Sequence, residues 1–273
     1  VGSLQQTIVI RSMTRSHLAG VLDVINADVL PGQASCSASS LLRATTSGGA
    51  FVAIGDRILG AAGVGRSRDG AAGVVRWLHG REEPGVVAGL LDHALTRLDG
   101  CDVVEAFTGG GVGAVAAGLP EVRSTTREAL VTRGFAAMPA GRYLYRSMPL
   151  APASLPGQPR IQVTARGGHR KLTVPGPVGG LLAEATVSVL APEHGVLRWI
   201  EVDSGHRGAG LGTQLLNACL RYLHRLGVRH VTGLLDDHNL TADDGHGRIG
   251  AHMIFTRAGF VTGAQLATYT KVG

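Results

Sequence analysis

With 273 residues, 44% of them hydrophobic and 17% charged, the chain has material for one large or two small cores and too few charges for a disordered polymer. The formal charge of +6 rests on arginine, since Lys171 and Lys271 are the only lysines, and the scattered basic residues come with no aromatic platform, which argues against nucleic acid as a partner. No apolar run is long enough to span a bilayer and no leader pattern opens the sequence, so the expected setting is cytoplasmic, with no membrane partner.

In chain order, a strand at about 7–12 precedes two helices near 15–27 and 38–46, then a hairpin and the β-rich "VVRWLH" of residues 74–79. A helical stripe, "LLDHALTRL" (90–98), is followed later by "LVTRGF", ending at Phe135, and by the strand-like "RYLYRSM". The stretch 149–160, "PLAPASLPGQPR", has no hydrophobic period and reads as a linker. Beyond it come only strands, "IQVTA", "RKLTV" and "LLAEATVSVLA", before "VLRWIE" at 196–201. A helix follows with Leu211, Leu215, Cys219, Leu223 and Leu226 on one stripe and Gly227 as its C-cap, then "HVTGLL", "IFTRAGF" ending at Phe260, and "ATYTKV".

The two halves repeat. "VVRWLH" answers "VLRWIE", "LLDHALTRL" answers "LLNACLRYL", and the separations from Leu90 to Phe135 and from Leu215 to Phe260 are both 45 residues. The expected organisation is therefore a first domain over 1–148, a linker over 149–160 and a second domain over 161–273 that lacks the two early helices.

The halves differ between tryptophan strand and helix. The second has "HRGAGLGTQLL" at 206–216; glycines there let helix N-terminal amides approach an anion, and Arg207 adds a cation, so the loop suits a diphosphate-sized ligand. A tight loop in which small residues serve only packing is the alternative. No lysine follows the last glycine, which excludes a Walker loop. The first half is three residues shorter here and carries Glu82 and Glu83, carboxylates that would repel a phosphate.

Together, "VDSGHRGAGLGTQLL" after a strand and "MIFTRAGF" after the next strand and helix resemble the GCN5-related N-acetyltransferase (GNAT) family, whose Arg/Gln-x-x-Gly-x-Gly/Ala signature is filled by Arg207, Gly210 and Gly212. The resemblance covers about 160–272 and, more weakly, the first half. It implies an α/β fold of two tandem domains, each a twisted, mostly antiparallel mixed sheet flanked by helices. It further implies an acetyl-CoA site in which Ile200, Glu201 and Val202 line the pantetheine arm, Arg207, Gly208, Ala209, Gly210, Leu211, Gly212 and Thr213 cradle the phosphates, and Asn239 lies near the arm. The first domain is then expected to be structural.

Direct acyl transfer needs a base for the ammonium and an acid for the leaving thiolate, with no covalent enzyme intermediate. For the base the candidates are Glu201, His206, Asp236 and His238. The tyrosine that many family members place four residues before the "GF" glycine is replaced by Phe255, so the acid is Tyr269, Tyr222 or water, or there is no turnover. "DDHNLTADDGHGRIGAH" (236–252) fits no EF-hand and reads as a solvated acidic loop, and Cys36, Cys101 and Cys219 match no ligand spacing; no metal is expected. The function expected is transfer of an acetyl group from acetyl-CoA to a primary amine of a small molecule, a natural product or antibiotic being the favoured kind. The alternatives are a non-catalytic acyl-CoA-binding or sensing module and a peptide or protein N-acetyltransferase.

Overall fold

The structure is a computed structural model that describes residues 7–45, 48–67, 70–109, 117–150, 160–176, 179–235 and 245–273. Residues 151–159 of the expected linker lie outside these. Two compact units form: unit 1 comprises Val1–Leu30, Ser35–Ala140 and Ala264–Gly273, and unit 2 comprises Pro31–Ala34 and Gly141–Gly263.

Unit 1 opens with β1 (Val9–Ser12), α1 (Leu18–Ala27) and α2 (Ala38–Thr45). It continues through β2 (Gly49–Ile54), β3 (Ile58–Arg66), β4 (Ala72–His79), α3 (Pro84–Arg97), β5 (Val103–Ala106), the two-residue β6 (Leu119–Pro120) and α4 (Ser124–Thr132). The ladders from β1 to β4 are antiparallel, and β4 to β5 is parallel. Pro84 at the start of α3 loses no helical bond, and the helix buries Val86, Val87, Leu90, Leu91 and Ala94 on one sheet face. On the other face α1 and α2 bury Val21, Ile25 and Leu41 over Val52, Ala61 and Trp77.

Unit 2 begins with the later part of β7 (Ala136–Ser147) and continues through β8 (Gln162–Arg166), β9 (His169–Pro175), β10 (Leu181–Ala191), β11 (His194–Val202), α5 (Leu211–Arg225), β12 (His230–Leu235) and α6 (Gly245–Arg257). As expected, its described residues before β11 hold strands and no helices. The stripe of α5 is buried at Leu215, Leu216, Cys219, Leu220 and Leu223, each such side chain contributing about 1.5–3 kcal/mol. The helix closes at Gly227, φ +85°, with the Val228 amide returning to the Leu223 carbonyl.

The units depart from the expected boundaries in their closing strands. From Arg142↔Leu235 to Ser147↔His230, β7 pairs with β12 and so completes unit 2. The last strand, β13 (Val261–Val272), pairs through Tyr269↔Ala106 to Val272↔Val103 with β5 and completes unit 1. Each half thus takes its last strand from the other half's sequence.

A fragment ending at Met148 therefore lacks the strand that covers Ala106 and Leu119. We expect it to lose near-ultraviolet dichroism and to aggregate on size exclusion; a monomeric fragment with cooperative unfolding would contradict the exchange.

Candidate active site

The site starts from a break in a ladder. On β11, Trp199 faces Thr186 of β10, but the next pair is Leu197↔Val187, leaving Arg198 as an extra, bulged residue. On its other side β11 pairs in parallel with β12 only from His194↔His230 to Leu197↔Gly233. Beyond the bulge, Arg198–Val202 have no ladder partner on that side, while β12 runs on to Leu235 along β7. A slot opens that is lined by main-chain donors and acceptors of β11.

At the head of the slot a short 3-10 turn (Ser204–His206) leads into the glycine loop. Asp203 is consumed locally: its Oδ1 accepts the Gly205 amide at 3.1 Å and the His206 Nδ1 hydrogen at 2.8 Å, and the His206 bond holds its carboxyl below the usual range. Gly208 (φ +82°) and Gly210 (φ +78°) are left-handed, and a Cβ on either would meet no atom within 4 Å. These two glycines answer a conformational demand, whereas Gly212 alone answers a packing one: its Cβ would lie 3.1 Å from Ile254 Cδ1 and 3.4 Å from Val202 Cγ2.

No side chain caps α5 and no acidic residue stands in its first turn; the Gln214 amide is the first to reach back, to the Gly210 carbonyl at 3.1 Å. The amides of Leu211, Gly212 and Thr213 consequently have no intrahelical acceptor, and they sit at the positive end of the helix dipole beneath exposed residues 203–210. The Arg207 Nε donates to the Val202 carbonyl at 3.4 Å, at the end of β11. This is an anion cradle continuous with the slot.

The structure thus brings together Ile200, Glu201, Val202 and Arg207–Thr213. Ile200 and Val202 pack against the unit 2 core, while Glu201 is exposed on the opposite sheet face. Asn239, Asp236 and His238 lie outside the described residues. Tyr269 must be withdrawn from this site: because β13 closes unit 1, its ring is 1% exposed in the unit 1 core, and burial pushes its pKa up. Tyr222 packs on the unit 2 core with the Arg225 guanidinium 5.9 Å from its ring centre. Phe255 is also core, edge-on to Phe260 at 5.3 Å. Among the described residues no three or more His, Cys, Asp or Glu side chains gather as a metal site.

Unit 1 repeats the slot and fills it. Arg76 is the bulged residue between Trp77↔Gly63 and Val75↔Val64, and the parallel β4–β5 ladder stops at Val75↔Ala106. Into the gap comes Arg123, 6% exposed, donating to the Leu78 carbonyl at 2.9 Å, Glu82 Oε1 at 2.9 Å and Thr126 Oγ1 at 3.1 Å. Glu82 Oε2 accepts the Thr126 amide at 2.9 Å, and Asp28 lies 3.5 Å from Arg123 and 2.8 Å from His79 Nδ1. Where unit 2 places left-handed glycines, the unit 1 loop holds Arg81 (φ +50°) and Glu82 (φ +56°) in the same region. Glu82 turns inward onto a cation rather than outward as a repelling carboxylate. Arg123 escaped sequence reading; the only signal for it was a glutamate in a loop too short to leave it in solvent.

Burial holds His79 below its ordinary value of 6.5 against the pull of Asp28, so at pH 7 it is neutral and donates Nδ1–H to the carboxylate. Burial would raise Asp28, but the bonds to His79 and the charge of Arg123 outweigh it and hold it below 3.8.

Residues 167–250 match the model of the acetyltransferase (GNAT) family. No curated protein matches the chain. Among solved structures, a tandem GNAT protein from the clavulanic acid biosynthesis pathway is similar at TM-score 0.65 and 18% identity, over 97% of this chain and 98% of that one. A GCN5-related N-acetyltransferase from Sphaerobacter thermophilus gives 0.66 and 12%, over 97% and 95%. A glucosamine N-acetyltransferase region of a fungal multi-domain β-N-acetylglucosaminidase gives 0.64 and 14%, over 97% and 38%. The segment 167–250 thus matches the GNAT family model, and the chain has the tandem GNAT fold.

Two outcomes follow. Arg123→Met strands Glu82 and Asp28 without their cation and should destabilise unit 1 by about 3–5 kcal/mol, read by urea unfolding of buried Trp77 in a Trp199→Phe background, with Glu82→Gln restoring part of the loss; an unchanged midpoint would contradict the network. Because the unfolded chain binds the His79 proton more readily than the folded one, unit 1 should lose stability as pH falls through 6.5, and His79→Gln should flatten that slope between pH 7 and 5. An equal slope in the variant would refute the assignment.

Proposed function

We propose that the protein is a cytoplasmic N-acyltransferase that moves an acetyl group from acetyl-CoA directly to the primary amine of a small molecule, with unit 2 as the working domain and unit 1 as scaffold. The observation that carries this reading is that two sets of main-chain donors, the unpaired end of β11 and the uncapped start of α5, stand on either side of one short turn closed by Asp203. Three free, buried cysteines, Cys36, Cys101 and Cys219, suit a reducing compartment.

The residues fit the donor's shape and charge. Amides of Gly208 through Thr213 and the Arg207 guanidinium would hold the diphosphate, and the β11 edge from Arg198 to Val202 would pair with the amide-bearing arm. Acetyl-CoA supplies the thioester. The β11 amides near Val202, fixed before reaction, stabilise the oxyanion that develops on the carbonyl. Glu201, on the open face of the same strand, takes the ammonium proton directly or through one water. Tyr222 packs on the core and Phe255 occupies the usual acid position, so the proton for the leaving thiolate is proposed to come from solvent at the exposed loop. Asn239 is proposed to contact the arm. A small amine is the acceptor kind that an open sheet face beside Glu201 serves.

A second reading, an acyl-CoA-binding module without turnover, is favoured by the inward-packed Phe255 at the usual acid position. Calorimetry distinguishes the claims. Acetyl-CoA should bind at one site per chain, and Gly210→Asp should weaken it at least about a hundredfold by placing a carboxylate among phosphate-binding amides at a left-handed position. Binding that survives the substitution would overturn the site. Amine-dependent thiol release would exclude the sensor reading.

A further inference from the structure

The two tryptophans of the repeat stand at equivalent positions and meet opposite fates. Trp77 is 1% exposed, roofed by Val21, Ile25 and Leu41, and its cross-strand partner is Gly63, where a Cβ would fall 2.3 Å from the indole Nε1. Trp199 is 43% exposed and faces Thr186. Two pairs further along, on the same face, Ala61↔His79 in unit 1 becomes Glu184↔Glu201 in unit 2. Small apolar residues under a helical roof have been exchanged for polar ones with no such roof among the described residues of unit 2, while the indole stays.

An indole left on a polar, uncovered face has no core to serve. Ile200 and Val202 turn toward the core beneath α5, so Trp199 and Glu201 project together from the other face of β11. Across from them Glu184 is held by Lys171 at 2.6 Å, with side chains 30% and 41% exposed. The result is an aromatic floor with two carboxylates on one edge, at the strand that also borders the thioester slot. An aromatic face flanked by carboxylates attracts a positively charged group, and with Lys171 offsetting Glu184 these three side chains keep the net negative charge of Glu201.

We propose that Trp199 is the floor of the acceptor subsite, with Glu184 as its second carboxylate, and that the acceptor is a compact di- or polyamine. One amine meets Glu201 and reacts; a second, still protonated, lies over Trp199. Residues two apart on a strand are about 7 Å apart, which sets the spacing of the two nitrogens. The proposal rests on the acetyltransferase reading and names the acceptor class for the same site.

The two tryptophans make the test selective, because Trp77 is buried and acrylamide quenching of fluorescence then reports Trp199. The probes are the diamines from 1,3-diaminopropane to 1,6-diaminohexane, with the matching diols as uncharged controls. At least one diamine should protect Trp199 from acrylamide while no diol does. Protection by none of the diamines, or equal protection by diols, overturns the proposal. With the protecting diamine as substrate, Trp199→Leu should raise its KM roughly five- to tenfold with little change in kcat or in acetyl-CoA affinity, and Trp199→Phe should restore part of it. An unchanged KM overturns the assignment of Trp199. Diamine protection without any acetyl-CoA binding supports the amine subsite and sinks the acetyltransferase reading instead, so the two failures are distinguishable.

Discussion

The parallel ladder that ends too early is the constraint on which the rest depends. Two parallel strands would ordinarily stay bonded to their common end, satisfying each main-chain group. In unit 2 the bulged Arg198 turns its strand away after Leu197 while β12 runs on to Leu235; in unit 1 the ladder before the bulged Arg76 stops at Val75↔Ala106, where β5 itself ends. The freed backbone groups need partners, and a buried group left without one costs about 1–3 kcal/mol. A slot of this kind is either solvated, filled by a ligand, or filled by the protein itself.

The two units take different courses. Unit 2 keeps its slot open and leads past it to two left-handed glycines and a helix start with no side-chain cap and no acidic residue in its first turn, so partial positive charge gathers at that helix start. Unit 1 seals the same gap with Arg123, whose charge is balanced by Glu82 and Asp28 and whose donors satisfy Leu78 and Thr126. A buried ion cluster is tolerable when it is complete and ruinous when one member is lost, which makes the plug a permanent structural feature rather than a displaceable guest. On the proposed function, the unit 2 slot is the one that takes an outside ligand.

Much of this is legible in the sequence. The repeat shows in the matched 45-residue spacings, and the glycine loop shows because left-handed backbone leaves a compositional mark at Gly208 and Gly210. The missing early helices show as an absence of 3.6-residue periodicity before "VLRWIE". The strand exchange does not show: "RYLYRSM" and "ATYTKV" carry the same period-2 pattern, and such a pattern says which face is buried but not which ladder the strand joins. Tyr269 was misplaced for that reason. Arg123 was invisible because its partners lie far off in sequence, Glu82 by 41 residues and Leu78 by 45. The exposure of Trp199 likewise depends on what is absent above it, which a strand pattern does not encode.

Amide hydrogen exchange with and without acetyl-CoA tests the central claim most directly, because the claim concerns backbone donors. The account predicts slowed exchange at Arg198–Val202 and at Gly208–Thr213, with the unit 1 segment Arg81–Val87 unchanged. Protection of Arg81–Val87, or no protection at either segment of unit 2, would contradict it.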